Sequence, residues 1–209
     1  MVFPIAGGTQ STGFEIDGSY MIDDGAASGL ARFGNNSRDG NTFTIAFWVK
    51  RTKLGASQLV NCKVEDSGVN AFVFMFDSND RIDIGGQPAS GSGAGSHRTV
   101  IVTNNRFRDT AAWYHIVYRQ DTTQSTASNR HRLYVNGVET DNGTYAALDQ
   151  NVAFAYFYNA GSYPYAIGND ERDNTYGNYY MADHHYTDGV SNEPGAFADI
   201  RLQAGKIFS

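Results

Sequence analysis

The chain has 209 residues, which suits one large β domain and is enough to bury a core without disulfides or metal. Its net charge is −6 without any basic run, which argues against charge-driven binding to nucleic acid or to a membrane surface. The single cysteine, Cys62, excludes an intrachain disulfide, and no apolar run approaches the ~18 residues of a membrane span.

Glycine, tyrosine and phenylalanine are abundant, with 23, 13 and 13 residues. Strands favour aromatic and β-branched residues and turns favour glycine, so this composition predicts an all-β protein. Short alternating runs separated by turn clusters recur along the chain, as expected of a β-sandwich or barrel. The predicted strands are Thr42–Lys50, Gln58–Lys63, Ala71–Phe76, Arg81–Ile84, Thr99–Thr103, Ala112–Gln120, His131–Val135, Val138–Thr140 and Tyr179–Thr187.

Alternation within these strands predicts which side chains reach the core. One face of Thr42–Lys50 is wholly apolar, formed by Phe43, Ile45, Phe47 and Val49. Both faces of Ala71–Phe76 are apolar, which predicts cover on both sides of that strand. Trp48 and Trp113 stand in alternating patterns and are expected in the core, and Cys62 is expected to be a buried thiol.

Turn signals separate the strands. Asn136-Gly137 predicts a type I′ hairpin, because both central residues of that turn need positive φ. Gly85–Ser96 is rich in glycine and serine and is predicted to be a surface loop. Only Pro194–Asp199 suggests a short helical turn. Without any repeat or linker, residues 1–10 are assigned to an N-terminal arm and residues 11–209 to a single domain.

One stretch resembles a known family. Thr110–Glu139 carries a Trp-Tyr-His strand followed by a Leu-Tyr-Val-Asn-Gly hairpin, which resembles the strand–loop–strand signature of laminin-G-like, concanavalin A-like domains. Three further blocks align in the same order and resemble the subgroup common in tailed-phage proteins: Ile16–Arg32, Thr42–Arg51 and Tyr179–Gly189. The resemblance implies an antiparallel jelly-roll β-sandwich over nearly the whole chain.

The resemblance also implies a place in a phage virion, in a tail fibre, a receptor-binding protein or a head decoration. We therefore expect other virion proteins and a host surface glycan as partners, no nucleic acid or membrane insertion, and assembly as a homo-oligomer. Because this fold hosts lectins, hydrolases and structural modules, activity must be argued from the site. A free-standing carbohydrate-binding lectin and a divergent glycoside hydrolase remain as alternatives.

Glycoside hydrolysis needs two carboxyl groups, ~5 Å apart for retention or ~6.5–9.5 Å apart for inversion. The hydrolases of this fold carry them on one strand as Glu-x-Asp-x-Glu or a close variant. No glutamate of this chain stands two or four residues from another, and the chain is therefore predicted not to be an enzyme; the glutamates are Glu15, Glu65, Glu139, Glu171 and Glu193.

Two stretches could hold a metal. On a strand, Asp183 and His185 would share one face with His184 opposite, but no second His or Cys cluster completes a zinc site, and a structural role is predicted. Asp170 and Asp173 lie in an oxygen-rich stretch that suits calcium. Calcium stays a hypothesis beside the prediction that no cofactor is needed.

Sugar binding uses aromatic rings beside amide and carboxylate groups. The stretch 154–180 is the most aromatic and amide-rich part of the chain. The predicted ligand-binding residues all come from it: Tyr156, Tyr158, Tyr163, Asn169, Asp170, Tyr176 and Asn178. Tyrosines of this kind can equally pack the sandwich or form a protein interface.

Overall fold

The computed structural model describes residues 16, 18–24, 29–32, 40–64, 70–154, 165–170 and 175–197. These ranges contain fifteen strands, two short 3-10 turns (Ala127–Asn129 and Pro194–Ala196) and no α-helix. No helix within them is long and apolar enough to cross a membrane. In chain order the strands are β1 (Tyr20–Ile22), β2 (Leu30–Arg32), β3 (Thr42–Arg51), β4 (Gln58–Val64), β5 (Asn70–Phe76), β6 (Ile82–Gly86), β7 (Arg98–Thr103), β8 (Tyr114–Asp121), β9 (His131–Val135), β10 (Val138–Glu139), β11 (Asn142–Tyr145), β12 (Tyr165–Ile167), β13 (Asn169–Asp170), β14 (Thr175–Tyr176) and β15 (Tyr179–Asp188).

Two antiparallel sheets form a sandwich. The six-stranded sheet has the order β1-β15-β3-β8-β9-β10, and the seven-stranded sheet has the order β11-β7-β6-β5-β4-β12-β2. Strands β13 and β14 pair separately as a small hairpin. The early strand β1 pairs with the late strand β15, where Tyr20 is opposite Met181. The all-β sandwich predicted from the sequence is confirmed.

The core lies between the two sheets and is built largely of aromatic rings. Phe72, Phe74 and Phe76 of β5 are fully buried, as the alternation predicts. Phe43 and Phe47 of β3 meet them edge to face, with ring centroids 5.9 Å apart for Phe43 and Phe72 and 5.4 Å apart for Phe47 and Phe74. Edge-to-face pairs of this kind add to the free energy gained by burial alone.

Smaller apolar clusters lie on the outer faces of the sheets. Leu59, Cys62, Val73 and Ala166 form one on the seven-stranded sheet. The predicted cover on both sides of β5 is therefore confirmed, since Val73 is buried opposite the phenylalanines. The thiol of Cys62 is buried as well, 3.4 Å from the carbonyl oxygen of Asn169. Ala46, Val117 and Tyr134 form the other cluster, on the six-stranded sheet, with Phe197 packed against it.

The predicted hairpin at Asn136-Gly137 is confirmed. Both residues have positive φ, 51° and 80°. The side-chain oxygen of Asn136 also accepts a hydrogen bond from the backbone N–H of His115 at 2.9 Å. The turn therefore fixes the register of β9 against β10 and attaches it to β8.

The predicted loop Gly85–Ser96 is wrong at its start, because β6 extends through Gly86. Gly85 pairs with Val73 on one side and Thr99 on the other. A Cβ at this position would lie 2.6 Å from the carbonyl oxygen of Arg98, closer than side chains approach backbone, so only glycine fits without a shift. Glycine here marks a close approach within the sheet rather than a loop.

The tryptophan prediction also needs correction. Strand β8 begins at Tyr114, so Trp113 precedes the strand and is only partly buried. Trp48 alternates with the core residues Phe47 and Val49 and therefore lies on the outer face of the six-stranded sheet, partly exposed. Neither indole is in the central core.

Candidate functional site

The predicted ligand-binding residues are described only in part. Tyr156, Tyr158 and Tyr163 lie outside the described residues, as does Asp173 of the calcium hypothesis. Asn169 and Asp170 form β13, and Asn169 is opposite Tyr176 of β14. The structure therefore brings three of the predicted positions, Asn169, Asp170 and Tyr176, into one small hairpin.

Asn178 belongs to a cluster of polar side chains from three segments that lie between strands. We call this cluster the loop network (Asp24, Thr52, Lys53 and Asn178). The amide nitrogen of Asn178 donates to Asp24 Oδ1 at 2.6 Å, and its amide oxygen accepts from the Thr52 hydroxyl. Lys53 pairs with the other carboxylate oxygen of Asp24. The network ties the segments that follow β1 and β3 to the residue before β15. Asn178 is thus engaged within the protein, and a sugar would compete with these partners.

The calcium hypothesis gains no ligand set from the described part of the chain. Within those ranges no group of three or more His, Cys, Asp or Glu side chains could hold a metal ion. The carboxylate of Asp24, the acidic group of the loop network, is already paired with the ammonium of Lys53. Calcium at Asp170 and Asp173 therefore stays a prediction.

A carboxylate that the sequence interpretation missed lies on the outer face of the seven-stranded sheet. Asp83 stands in β6 between Ile82 and Ile84, both fully buried in the core, so its side chain points outward. Its cross-strand neighbours are Met75 and Val102, and among the described residues it has no hydrogen-bond partner. The strict alternation of Arg81–Ile84 was the sequence signal that could have revealed it.

The surroundings of Asp83 change its protonation. Burial raises the pKa of Asp83 to about 6, the nearby charge of Asp77 adds to the shift, and Arg81 opposes it. Half-buried carboxylates with free acceptor positions are uncommon away from functional sites. Asp83 is therefore the strongest candidate in the described chain for contacting a ligand with hydroxyl groups.

Asp77 lies next to Asp83 but is fully occupied. It sits diagonally across the β5–β6 pair, which places the two residues about 7–8 Å apart. Its carboxylate accepts from the backbone N–H groups of Asn79 and Arg81 and from two nitrogens of the Arg81 guanidinium, at 2.7 to 2.9 Å. Burial disfavours its charge, yet these hydrogen bonds outweigh burial and lower the pKa of Asp77. Asp77 is thus fixed in a turn and has little capacity left to act on a substrate.

The Asp183-His184-His185 stretch has the predicted alternation. His184 turns inward, where its Nε2 lies 2.8 Å from Asn61 Oδ1 and its ring stacks on Phe47. Asp183 and His185 are exposed on the outer face of the six-stranded sheet. Burial lowers the pKa of His184 to about 4, with His185 adding to the shift, so the inward ring is neutral near pH 7.

Comparison with known proteins places this fold. A search of curated protein sequences gives no significant match. The model of the family described as the Concanavalin A-like lectin/glucanases superfamily matches residues 24–189, well over half of the chain. The chain belongs to the concanavalin A-like lectin/glucanase superfamily. The fold implied by the sequence resemblance is thereby confirmed.

Several solved structures are similar in fold to this superfamily member. Domain 4 of AbnA, a GH43 extracellular arabinanase from Geobacillus stearothermophilus in complex with arabinotriose, matches with a TM-score of 0.56 at 15% identity, over 90% of this chain and 82% of that one. A native heptameric SAP-like pentraxin from Limulus polyphemus matches with a TM-score of 0.53 at 14% identity, over 87% and 75%. A Trypanosoma rangeli sialidase matches with a TM-score of 0.51 at 11% identity, and only 26% of its length is covered. At these identities the likeness shows the fold alone.

Proposed function

We propose that this superfamily member is a non-catalytic carbohydrate-binding domain that serves as an adhesion module of a phage particle, with a host surface glycan as its ligand. The observation that carries the sugar-binding part is the carboxylate of Asp83, which has no hydrogen-bond partner among the described residues. A carboxylate accepts hydrogen bonds from two neighbouring hydroxyls at once, the groups that a sugar presents. The apolar side chains of Met75 and Val102 on either side suit the C–H face of the same sugar.

Two relations of fold and sequence support the setting. The arabinanase domain of the same fold is in complex with arabinotriose, which supports a sugar ligand here. The virion setting is supported by the resemblance of the four blocks between Ile16 and Gly189 to tailed-phage proteins. We further expect a homo-oligomer, as in the heptameric pentraxin of the same fold, because repeated weak sites on one particle multiply avidity.

Hydrolysis is the second candidate, and one observation favours it. The pKa of Asp83 is raised and that of Asp77 is lowered, the divergence expected of a catalytic acid and its partner carboxylate. The hydrogen bonds of Asp77 to Asn79 and Arg81 argue against it, because they occupy the oxygens that would have to attack a sugar or activate water. We therefore expect binding without turnover.

A glycan array with purified protein tests sugar binding. We expect the wild-type chain to bind a subset of glycans and Asp83→Asn to lose that binding. Asp188→Asn is the matched control, because it removes an exposed carboxylate from the other sheet and should leave the profile unchanged. Equal binding by Asp83→Asn and wild type would show that Asp83 is not the site. Release of reducing sugar from a bound glycan, lost in Asp83→Asn, would favour hydrolysis.

The virion setting has a separate test. Antibodies raised against the chain are expected to label the tail or the head of purified phage particles from its source, seen by immunogold electron microscopy. Size-exclusion chromatography with light scattering gives the oligomeric state of the same preparation. Unlabelled particles together with a sugar-binding monomer would favour the free-standing lectin.

A further inference from the structure

An asparagine and a histidine connect the two sheets inside the sandwich. Asn61 of β4, in the seven-stranded sheet, is fully buried, and its Oδ1 lies 2.8 Å from Nε2 of His184 on β15, in the six-stranded sheet. The hydroxyl of Tyr165 on β12 contacts the same amide at 2.9 Å. The ring of His184 also stacks on Phe47, with centroids 5.9 Å apart. A titratable side chain is thus held between the sheets.

The backbone of β15 is irregular at this histidine. The register of β15 against β3 shifts between Ala182 and His185. Asp183, next to the histidine, has a φ of 48°, a left-handed conformation that residues other than glycine seldom adopt. Costly backbone conformations persist where the surroundings enforce them, and they cluster at functional positions. Here the irregular backbone accompanies a polar side chain, His184, that enters the interior.

Hydrogen bonding decides which end of the Asn61 amide faces the histidine. With Oδ1 towards His184 and Tyr165, the nitrogen Nδ2 is buried and has no hydrogen-bond partner among the described residues. Turning the amide over lets Nδ2 donate to both neighbours and leaves one unpaired acceptor, Oδ1, in its place. Two unpaired buried N–H groups cost more free energy than one unpaired oxygen. The turned amide is therefore the favoured orientation beside a neutral histidine.

The proton of the neutral histidine ring fits this orientation. The ring forms a hydrogen bond to the backbone carbonyl of His184 itself, which Nδ1 can reach and Nε2 cannot. Nδ1 therefore carries the proton of the neutral ring, and Nε2 accepts from Nδ2 of Asn61. A second proton on the ring would turn Nε2 into a donor that faces another donor.

The strands that contact His184 supply no carboxylate that would hold a protonated ring. β12 has no charged residue, and those of β3 and β4 are all basic: Lys50, Arg51 and Lys63. On β15, Asp183 and His185 are exposed on the outer face, and Asp188 ends the strand. The partly buried tyrosines that pack on the core ionise only near pH 10 or above: Tyr20, Tyr165 and Tyr186. Burial lowers the pKa of His184 to about 4, and the charge of His185 adds to the shift.

We propose that Asn61 and His184 form a proton-sensitive clasp between the two sheets. The clasp is closed while the ring is neutral, because Asn61 then donates to His184 and ties β4 to β15. A proton on His184 removes the acceptor, so the amide must turn back and leave its buried N–H groups unpaired. Acid thereby loosens β15, together with its partner β1, from the seven-stranded sheet. The clasp does not depend on sugar binding at Asp83.

NMR spectroscopy tests the closed state in the wild-type chain. A long-range ¹H–¹⁵N spectrum shows which ring nitrogen of each of the five histidines is protonated. The signals of His184 are those missing from His184→Gln. We expect the Nδ1–H form at pH 7. An Nε2–H form would overturn the proposal, because Nε2 would then donate to the Asn61 oxygen and the amide would not need to turn on protonation.

Asn61→Asp tests the partner in the same spectra. A carboxylate next to Nε2 stabilises the protonated ring, so the pKa of His184 should rise from about 4 by about 1 pH unit or more. Asn105→Asp is the matched control, because Asn105 is exposed in the loop after β7 and its change should leave the titration of His184 as it is. An unchanged titration in Asn61→Asp would contradict the clasp. If Asn61→Asp does not fold, the wild-type spectrum still decides.

Hydrogen exchange measured by mass spectrometry tests the loosening. A ring released to solvent takes up its proton near pH 6.5, whereas the enclosed ring does so near pH 4. The protection of Tyr179–Asp188 relative to β6, corrected for intrinsic exchange rates, should therefore fall by about tenfold or more between pH 6.5 and 4.5. His184→Gln should lose this pH dependence, and His131→Gln, which changes another buried histidine, should keep it. The same pH dependence in His184→Gln and wild type would rule out the switch.

Discussion

The guanidinium of Arg51 and the carboxylate of Asp80 form an ion pair at 3.1 Å, with side-chain exposures of 0% and 4%. The same guanidinium donates to the carbonyl oxygen of Phe107 at 2.7 Å and lies 4.4 Å from the ring centroid of Phe76. Asp80 also accepts from the backbone N–H of Gly55 at 2.8 Å. The pair thus joins the end of β3 to the turn between β5 and β6.

Removing the acidic partner should destabilise the protein strongly. Asp80→Asn leaves the guanidinium of Arg51 buried without a counter-charge, which costs about 3–5 kcal/mol. Asparagine is the suitable replacement because Asp80 has a φ of 66°, which asparagine tolerates. The free energy of unfolding in urea measures the loss.

The matched control for this prediction is Glu139→Gln. It breaks the pair between Arg132 and Glu139, whose side chains are 29% and 46% exposed, and should cost less than about 1 kcal/mol. Similar losses for the two variants would mean that Arg51 reaches water or another partner when Asp80 is neutral.

Periodicity predicted the central strands well because apolar alternation reports burial directly. The strand predicted at Thr42–Lys50 is observed at Thr42–Arg51. Arg51 was missed as a core residue, because a buried arginine requires an acidic partner far along the chain, which local sequence does not reveal. The edge strand β11, Asn142–Tyr145, was missed because its sequence reads as a turn. An edge strand buries little, so its residues need not be apolar.

The site was predictable only in part. The outward position of Asp83 follows from its place between two isoleucines and could have been read from the sequence. The contact of Asn178 with Asp24 joins residues 154 positions apart, and no local pattern encodes it. The inward turn of His184 agrees with alternation. The register of β15 against β3 shifts between Ala182 and His185, where Asp183 has a φ of 48°, and this shift depends on pairing with a strand far away in the sequence.

Metal removal tests the prediction that no cofactor is needed. We expect the melting temperature to be the same in EDTA and in millimolar calcium, because the sandwich buries a large apolar core of its own. Differential scanning fluorimetry measures it. A lower melting temperature in EDTA, reproduced by the loss of calcium stabilisation in Asp170→Asn, would instead support calcium at Asp170 and Asp173.

Acid should destabilise the protein through a buried histidine. The Nε2 of His131 accepts from the backbone N–H of Leu148 at 3.2 Å, and its Nδ1 lies 2.9 Å from the Tyr118 hydroxyl, so the ring is neutral. Burial lowers the pKa of His131 to about 3, and the charges of Arg98 and Arg130 add to the shift. The unfolded chain takes up this proton near pH 6.5 and the folded chain does not until about pH 3.

The stability from neutral His131 is therefore complete above pH 6.5 and is lost as the pH falls toward 3. The loss between pH 6.5 and 4.5 is about 2 kcal/mol for this residue. Urea unfolding at both values measures it, and His131→Gln should show a correspondingly smaller difference between them despite its lower stability. An equal pH dependence in the variant would mean that His131 titrates normally in the folded chain.

Asp83→Asn should make the protein more stable while weakening sugar binding. At pH 8 the wild-type carboxylate is held charged between Met75 and Val102, and asparagine removes that cost. Because the side chain is partly exposed, the expected gain is at most about 1 kcal/mol. A residue kept at a cost to stability is typical of a binding site.

The stability gained by Asp83→Asn should depend on pH in a definite direction. The folded pKa of Asp83 is about 6, above the unfolded value near 3.9, so the wild-type chain takes up a proton on folding in that interval. The advantage of Asp83→Asn is therefore complete above pH 6 and should vanish as the pH approaches 4. Urea unfolding of both proteins at pH 8 and pH 4 measures it. A variant less stable than wild type at pH 8 would show that Asp83 forms a stabilising contact in the folded chain.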